Sequence, residues 1–332
     1  KPHGLFFPVD VSTASQATLG GMAGNNSCGA RSIRYGLMRD NVLTIDAVLA
    51  SGEQAQFGPI GPANTDLHEP EIYRRLTQSL IELADRESTE ITTRFPKVHR
   101  RVGGYNIDAM LPPALQQREQ NMAQLLVGSE GTLAFTRQLT LRLQPIPAYK
   151  VLGICHFPSF YQAMESTQHI VGLGPDAVEL IDRTLIELAL DIPMFSKTLT
   201  RFVNGDPDAL LLVEFAGEEP TKLQQQLGDL STLMADLGHP GSVVDIVNPA
   251  DQQSVWEVRK SGLNIMMSMK GDRKPVSFIE DCAVPLEHLA EFTDRLTRIF
   301  EDHGTRGTWY AHASEGCLHV RPVLNMKSPE DV

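Results

Sequence analysis

The residues best suited to chemistry lie near the end of the sequence, where two histidines flank a glycine. His312 and His319 stand in the stretch YAHASEGCLHVRP, residues 310–322, on either side of Gly316. A single histidine on a strand is more often an ordinary core or surface residue, so the pairing carries the interpretation. Two neutral imidazoles brought together can hold a divalent metal ion, with an oxygen ligand completing the site. The pair therefore predicts a metal site with both histidines as ligands.

Two arginines could bind carboxylate groups. Arg259 lies in VWEVRK, residues 255–260, where a helix would turn Trp256 inward and carry Arg259 one turn further on. Arg321 lies two residues after His319. A guanidinium grips a carboxylate through two parallel hydrogen bonds, which lysine does not reproduce. A charge on a solvated helix for Arg259, and a strand-edge salt bridge for Arg321, are the open alternatives.

A glycine-rich stretch near the start could approach a cofactor closely. Residues 18–30 read TLGGMAGNNSCGA, and four glycines there allow backbone N–H groups to converge on a phosphate or a ring edge. The stretch is not a dinucleotide fingerprint, because no G-x-G-x-x-G follows a strand and opens a helix. On its glycines alone, an ordinary turn remains the alternative.

Three pieces together change that balance: residues 18–30, the stretch RYGLMRDNVL at 34–43, and LVGSEGTL at 126–133. They resemble the FAD-binding domain of the FAD-linked oxidase family, the vanillyl-alcohol-oxidase-like flavoproteins. The resemblance implies that these segments contact the flavin and its ribityl–ADP part mainly through backbone groups. The cofactor-binding residues it implies are Thr18, Gly20, Gly21, Gly24, Asn25, Ser27, Gly29, Tyr35, Gly36, Gly128, Glu130 and Gly131.

The histidine stretch is similar to the H-[AG]-x-x-G-x-L-H pattern in the cap domain of D-lactate, glycolate and D-2-hydroxyglutarate dehydrogenases of this family. That similarity implies that His312 and His319 bind Zn, Mn or Fe together with a later glutamate. It assigns Arg259, from W-x-x-R, to the substrate carboxylate. Arg321 stands where close relatives have Asn, and could bind a second carboxylate. Asp281, in FIEDCAVP, is expected to orient its strand or a helix start rather than to act in catalysis.

The activity implied is FAD-dependent oxidation of a D-2-hydroxy acid to the 2-oxo acid. Electrons would pass to an acceptor or to a fused iron–sulfur region, since the chain resembles the flavoprotein part of large bacterial FAD/iron–sulfur dehydrogenases. The first FAD subdomain is expected before residue 1, and the later glutamate with a neighbouring base histidine after Val332. An aryl-alcohol oxidase or ether-lipid synthase is a rival that the paired histidines argue against. A flavin-free binding or scaffold domain is the rival from another class.

Hydrophobic patterning supplies the elements that must position these residues. Residues 42–49 predict a strand that enters a hairpin at 51–53, and 72–87 predict an amphipathic helix. Two β-like runs surround the turn at 128–131, and Pro145-Ile146-Pro147 suggests a domain boundary.

Beyond that boundary, the patterning predicts four strand regions, 151–157, 209–215, 276–284 and 308–323, and two helices, 220–237 and 286–303. We therefore predict an α+β fold: a second FAD-binding subdomain of the PCMH type in 1–147, then an α+β cap domain in 148–332. The cap has an antiparallel sheet with helices on one face.

Composition sets the outer limits. The chain has 332 residues, 42% hydrophobic, and a net charge of −12, which argues against a nucleic-acid partner. Its four cysteines form no C-x-x-C pair, which excludes an iron–sulfur cluster or four-cysteine zinc site within this chain. We expect a cytoplasmic protein, with peripheral attachment at the inner membrane face left open. The oligomeric state stays undetermined.

Overall fold

The computed structural model describes residues 3–61, 70–116 and 118–332, so Lys1 and Pro2 of the opening segment lie outside the described residues. The chain divides into two compact units. The first extends to Lys97 and resumes over Arg101–Ile146; the second joins Val98–Arg100 to Pro147–Val332. Within the described ranges, no helix combines the length and apolar character needed to cross a membrane.

The first unit is built on a small antiparallel sheet with strand order β3-β2-β4. The strands of the first unit are β1 (Leu5–Phe6), β2 (Val42–Leu49), β3 (Gln54–Phe57), β4 (Ala134–Leu141) and β5 (Gln144–Pro145). The predicted hairpin is confirmed, since Val48 of β2 pairs with Gln54 of β3 across the turn. β1 pairs with β5, which brings the two ends of this unit's chain together.

Seven helices in the described part of this unit surround the sheet. They are α1 (Leu19–Asn25), α2 (Ser32–Tyr35), α3 (Met38–Asn41), α4 (Glu71–Arg86), α5 (Ser88–Arg94), α6 (Pro113–Gln116) and α7 (Ala123–Leu126). The amphipathic helix predicted at 72–87 is confirmed as α4. The β-like run predicted before Gly128 is wrong, because its buried residues form α7. A short apolar run fits a buried helix turn as well as a strand.

The second unit contains an eight-stranded antiparallel sheet with order β10-β13-β12-β7-β8-β6-β9, and β11 also pairs with β13. The strands are β6 (Tyr149–Phe157), β7 (Ala177–Asp182), β8 (Ala209–Gly217), β9 (Val243–Ile246), β10 (Lys274–Pro275), β11 (Ile279–Ala283), β12 (Gly307–His312) and β13 (Cys317–Leu324). β7 is buried along its whole length, as expected for a strand covered on both faces.

Helices pack on both faces of this sheet. They are α8 (Phe160–Val171), α9 (Arg183–Leu190), α10 (Pro193–Phe202), α11 (Pro220–Asp236), α12 (Pro249–Lys260), α13 (Gly262–Met267) and α14 (Leu289–Asp302). One face packs with α8, α11 and α14, and the other with α9, α10, α12 and α13. The prediction of helices on one face is therefore wrong. Successive residues of β7, such as Leu180 and Ile181, point to opposite faces of the sheet and pack into two different hydrophobic cores. Both faces of the sheet are therefore covered by helices.

A tight turn joins β12 to β13 and sets the positions of the two histidines. A single 3-10 turn, Ala313–Glu315, is closed by Gly316 at φ 63°. A Cβ on Gly316 would lie 1.9 Å from the Val284 carbonyl oxygen, so only glycine fits here. The turn fixes the register in which His312 pairs with Cys317 and Tyr310 pairs with His319.

Candidate functional site

His312 ends β12 directly opposite Glu179 of the neighbouring strand β7. Paired residues in an antiparallel ladder point to the same face, so the two side chains meet. His312 Nδ1 lies 2.8 Å from Glu179 Oε1. The other oxygen, Oε2, lies 2.5 Å from a terminal nitrogen of Arg259 on α12. One buried carboxylate therefore joins a predicted metal ligand to a predicted substrate-binding arginine.

His319 has a parallel arrangement on β13. Its Nδ1 lies 3.0 Å from Glu280 Oε2, and Glu280 Oε1 forms an ion pair with Arg321 Nε. A second carboxylate oxygen, Oδ1 of Asp281, lies 3.2 Å from the same Nδ1. Each predicted histidine thus contacts a glutamate that is also paired with a predicted arginine.

A bulge in β11 lets two successive acidic residues reach one imidazole. Neighbouring side chains in a regular strand point to opposite faces. The register of β11 against β13 shifts between Ile279 and Cys282, and Asp281 has φ 57°. That left-handed backbone is rare for a residue with a side chain and is commonly retained at functional sites. The bulge turns Asp281 toward the ring that Glu280 also contacts.

The imidazole rings of His312 and His319 are in contact in a T-shaped arrangement. Their ring centroids are 5.3 Å apart at an interplanar angle of 80°, and Tyr310 stacks on His319 at 4.4 Å. In the part of the chain that the structure describes, neither Nε2 has a hydrogen-bond partner. Among the residues that the structure describes, one group of three potential ligand atoms lies within 4.8 Å of one another: Asp281, Cys317 and His319. That group does not include His312.

The electrostatics favour a neutral His312. Burial lowers the pKa of His312 to about 4, against the opposing pull of Glu179. Burial would raise the pKa of Glu179, but His312 and Arg259 outweigh it and hold the pKa below its usual range. For His319, burial alone would lower the pKa; its contacts with Asp281 and Glu280 outweigh burial and raise it. The raised pKa of His319 favours a second proton on its ring, at Nε2. A metal ion bound to that Nε2 would displace this proton.

These donors fit a divalent metal ion. A metal-bound imidazole usually donates its other N–H to a carboxylate, which is the arrangement of both rings here. Arg259 is buried, at 7% exposed, and also donates to the Ala311 carbonyl oxygen at 3.3 Å. Its Nε has no hydrogen-bond partner among the described residues, so a donor remains for a ligand.

In the first unit, the glycine-rich segment and the turn after α7 are joined by hydrogen bonds. The Asn25 side chain donates to Glu130 Oε1 at 2.9 Å, and the Glu130 backbone N–H donates to the Gly24 carbonyl oxygen. Gly128 N–H donates to Ala23 O, and Gly128 has φ 80° with Asn26 Cβ only 3.1 Å from where a Cβ would lie. Two of the three segments that resemble the FAD-binding family, residues 18–30 and 126–133, thus form one surface.

The glycines among the predicted cofactor residues divide into two groups according to the space beside their Cα atoms. A Cβ on Gly20 or Gly131 would meet no atom within 4 Å, and one on Gly24 would only touch Glu130 at 4.0 Å. Such open backbone fits the close approach of a cofactor. By contrast, the space beside Gly29 is filled by Asp10, and the space beside Gly36 by Asp40.

Several predicted residues use their polar groups within the protein. Gly29 N–H donates to Ser32 Oγ, and Gly36 N–H donates to the Ser32 carbonyl oxygen. These two glycines therefore serve packing within the protein. The Gly21 N–H donates to Thr18 Oγ1, which caps α1. The remaining two also have internal contacts: Ser27 Oγ donates to Asn25 Oδ1, and the Tyr35 ring packs edge-on against Phe6.

Sequence reasoning missed three acidic residues at the histidine site. Glu179 interrupts the apolar strand AVELID, and Glu280 and Asp281 were credited at most with orienting their strand. A carboxylate in a fully buried strand is the one signal that could have drawn attention to Glu179, because such a charge needs a partner.

Comparison with known proteins agrees with these observations. Residues 146–332 match the model for the C-terminal domain of FAD linked oxidases, and residues 1–58 match a FAD binding domain. The chain is 31% identical to the D-2-hydroxyglutarate dehydrogenase of Pseudomonas putida over 99% of its own length and 33% of the relative's. It is 27% identical to the mitochondrial D-lactate dehydrogenase (cytochrome) of Arabidopsis thaliana, of which it covers 47%. The chain therefore spans a third to a half of these relatives.

Solved structures share the fold at low identity. An alkyldihydroxyacetonephosphate synthase superposes with a TM-score of 0.59 at 13% identity, over 99% of this chain and 53% of that one. p-Cresol methylhydroxylase gives the same TM-score at 10% identity, over 99% of this chain and 59% of that one. Both support the predicted α+β fold with a PCMH-type FAD-binding domain and a cap. The resemblance found in the three glycine-containing pieces and the histidine pattern is confirmed, and the chain belongs to the FAD-linked oxidase family.

Proposed function

We propose that the protein containing this chain oxidises a D-2-hydroxy acid to the corresponding 2-oxo acid and passes the electrons to an acceptor. The observation that carries the proposal is the pairing of His312 and His319, with Nδ1 of each ring on a glutamate and an arginine on each glutamate. The paired histidines argue against the two alternatives, an aryl-alcohol oxidase and an ether-lipid synthase. Relatives named D-2-hydroxyglutarate and D-lactate dehydrogenases, at 27–31% identity, support the same substrate class.

The proposed roles follow from the side chains. His312 and His319 hold a divalent ion through Nε2, and that ion supplies Lewis acidity at the substrate hydroxyl. Arg259 binds the carboxylate next to C2 with the Nε–H donor left after its pairing with Glu179. Arg321 binds a second carboxylate, so a dicarboxylate such as D-2-hydroxyglutarate is favoured over D-lactate.

FAD and the residues proposed to bind it also have defined roles. FAD, when bound, supplies the acceptor for the C2 hydrogen. Gly20, Gly24 and Gly131 offer the backbone that a cofactor can approach most closely, and Thr18, Asn25 and Glu130 lie exposed beside them. A fused or partner iron–sulfur region is the proposed electron acceptor.

Anaerobic reduction of the flavin in the full-length protein tests this function. D-2-Hydroxyglutarate and D-lactate are added separately, with and without a chelator, and the visible flavin absorbance is followed. We expect one D-acid to bleach the flavin in wild type, and chelator or His312→Ala to prevent the bleaching. Bound flavin that no D-2-hydroxy acid reduces would exclude this substrate class. A full-length protein without flavin would favour the scaffold alternative.

A further inference from the structure

Two glutamates occupy equivalent positions beside the paired histidines. Glu179 contacts Nδ1 of His312 at 2.8 Å and Arg259 at 2.5 Å. Glu280 contacts Nδ1 of His319 at 3.0 Å and is paired with Arg321. The two groups come from different strands, β7 and β11, at opposite sides of the β12–β13 pair. The same arrangement is thus reached twice by unrelated parts of the chain.

We infer that Glu179 and Glu280 are positioning residues that present the Nε2 atoms of His312 and His319 to the metal ion. The inference rests on the proposed function, because it takes these histidines as metal ligands. A carboxylate only accepts hydrogen bonds when ionised, so each one places the imidazole proton on Nδ1. The lone pair is then left on Nε2, the nitrogen without a partner among the described residues.

The arginines explain why these carboxylates stay ionised and in place. The Glu179 side chain is only 2% exposed, and an unpaired charge there would be strongly unfavourable. The Arg259 guanidinium compensates that charge and is itself ordered by the Ala311 carbonyl oxygen at 3.3 Å. Arg321 does the same for Glu280. Each glutamate therefore fixes both the tautomer and the rotation of its histidine ring.

Metal affinity of the full-length protein provides the test. Zn²⁺ and Co²⁺ are titrated by calorimetry into metal-stripped wild type, Glu179→Gln and Glu280→Gln, and the absorption spectrum of the Co²⁺ form is recorded. Loss of such an outer partner weakens metal binding about 10- to 100-fold, which we expect for both variants together with a shifted Co²⁺ spectrum. Glu280 is partly exposed, so its variant remains informative if Glu179→Gln does not fold.

Glu214→Gln is the matched control. Glu214 lies on the adjacent strand β8, is equally buried at 2% exposed, and pairs with Lys150 rather than with a histidine. Its substitution should leave the metal affinity unchanged. If His312→Ala loses the metal while both glutamate variants bind within twofold of wild type, the positioning role is wrong and the metal site stands. If wild type binds no metal, the inference and the metal part of the proposed function both fail.

Discussion

The side-chain amide of Asn25 donates a hydrogen bond to the carboxylate of Glu130 at 2.9 Å, across 105 residues of sequence. This bond joins the end of α1 to the turn that follows α7. Glu130 adopts φ 52°, a left-handed backbone in which it can turn back toward α1. The relative position of these two segments is therefore set by one exposed side-chain hydrogen bond and by the backbone bonds from Glu130 to Gly24 and from Gly128 to Ala23.

Removal of the Asn25–Glu130 bond should weaken flavin binding. Asn25→Ala and Glu130→Ala each remove this side-chain bond and leave only backbone hydrogen bonds between the two segments. We expect several-fold lower flavin affinity, because cofactor binding must then order the segments. Flavin fluorescence titration of the metal-replete full-length protein measures it. Glu53→Ala, in the exposed turn after β2, is the control that should bind like wild type. Unchanged affinity in both variants would mean that the bond does not organise the flavin site.

Replacement of Gly316, in the turn between His312 and His319, should lower the free energy of unfolding. Gly316→Ala combines a positive φ with a contact of 1.9 Å to the Val284 carbonyl oxygen, so we expect a loss of at least about 3 kcal/mol of stability. Gly271→Ala is the control, because Gly271 has φ 92° with nothing within 4 Å and should cost only about 1 kcal/mol. Urea unfolding of both variants gives the comparison. Equal losses would show that the Val284 contact relaxes without cost.

The buried arginine of the first unit should contribute far more to stability than an exposed one. Arg39 donates to Asn106 at 2.9 Å and pairs with Asp108 at 3.1 Å, while Arg118 pairs with Asp40 at the surface. Arg39→Ala leaves Asn106 and Asp108 without this partner, and we expect a loss of about 3 kcal/mol. Arg118→Ala should cost about 1 kcal/mol or less. Similar free energies of unfolding for the two variants would contradict this ranking.

Stability should fall as the pH rises because of Asp182. Burial raises the pKa of Asp182 to about 7, even though its carboxylate accepts backbone N–H groups of Leu185 and Trp309. The folded state thus favours the protonated form, and this contribution is complete below the unfolded pKa and lost as the pH rises toward 7.

Asp182→Asn cannot titrate and isolates this effect. Between pH 5 and pH 8, wild type should lose about 2 to 3 kcal/mol relative to Asp182→Asn, since each pKa unit corresponds to about 1.4 kcal/mol. The difference in free energy of unfolding at each pH is the measurement. A difference that stays constant with pH would show that Asp182 is ionised throughout.

The sequence indicated the residue types of the site better than their partners. His312 and His319 could be predicted because they share one short stretch and one glycine turn. Glu179 could not, because its contact with His312 depends on the register of β7 against β12 across 133 residues. The same holds for Glu280 and Asp281, whose joint approach to His319 requires a bulge that no local pattern announces.

Glycine patterning was informative in the same limited way. It drew attention to segments that the structure joins by hydrogen bonds, but a glycine in a sequence does not reveal what fills the space beside it. At Gly29 and Gly36 that space holds Asp10 and Asp40, while at Gly20 and Gly131 it is open. Only the three-dimensional arrangement distinguishes a glycine needed for packing from one that leaves room for a ligand.

The register that joins His312 to Glu179 also bears on how the protein folds. The hairpin of β12 and β13 is local and closes quickly, whereas the pairing of β7 with β12 must close a loop of more than a hundred residues. The histidines can therefore adopt their spacing early, but they acquire their carboxylate partners only after this slow, long-range step. A metal ion held as proposed would therefore meet two correctly oriented histidines only once the sheet is complete.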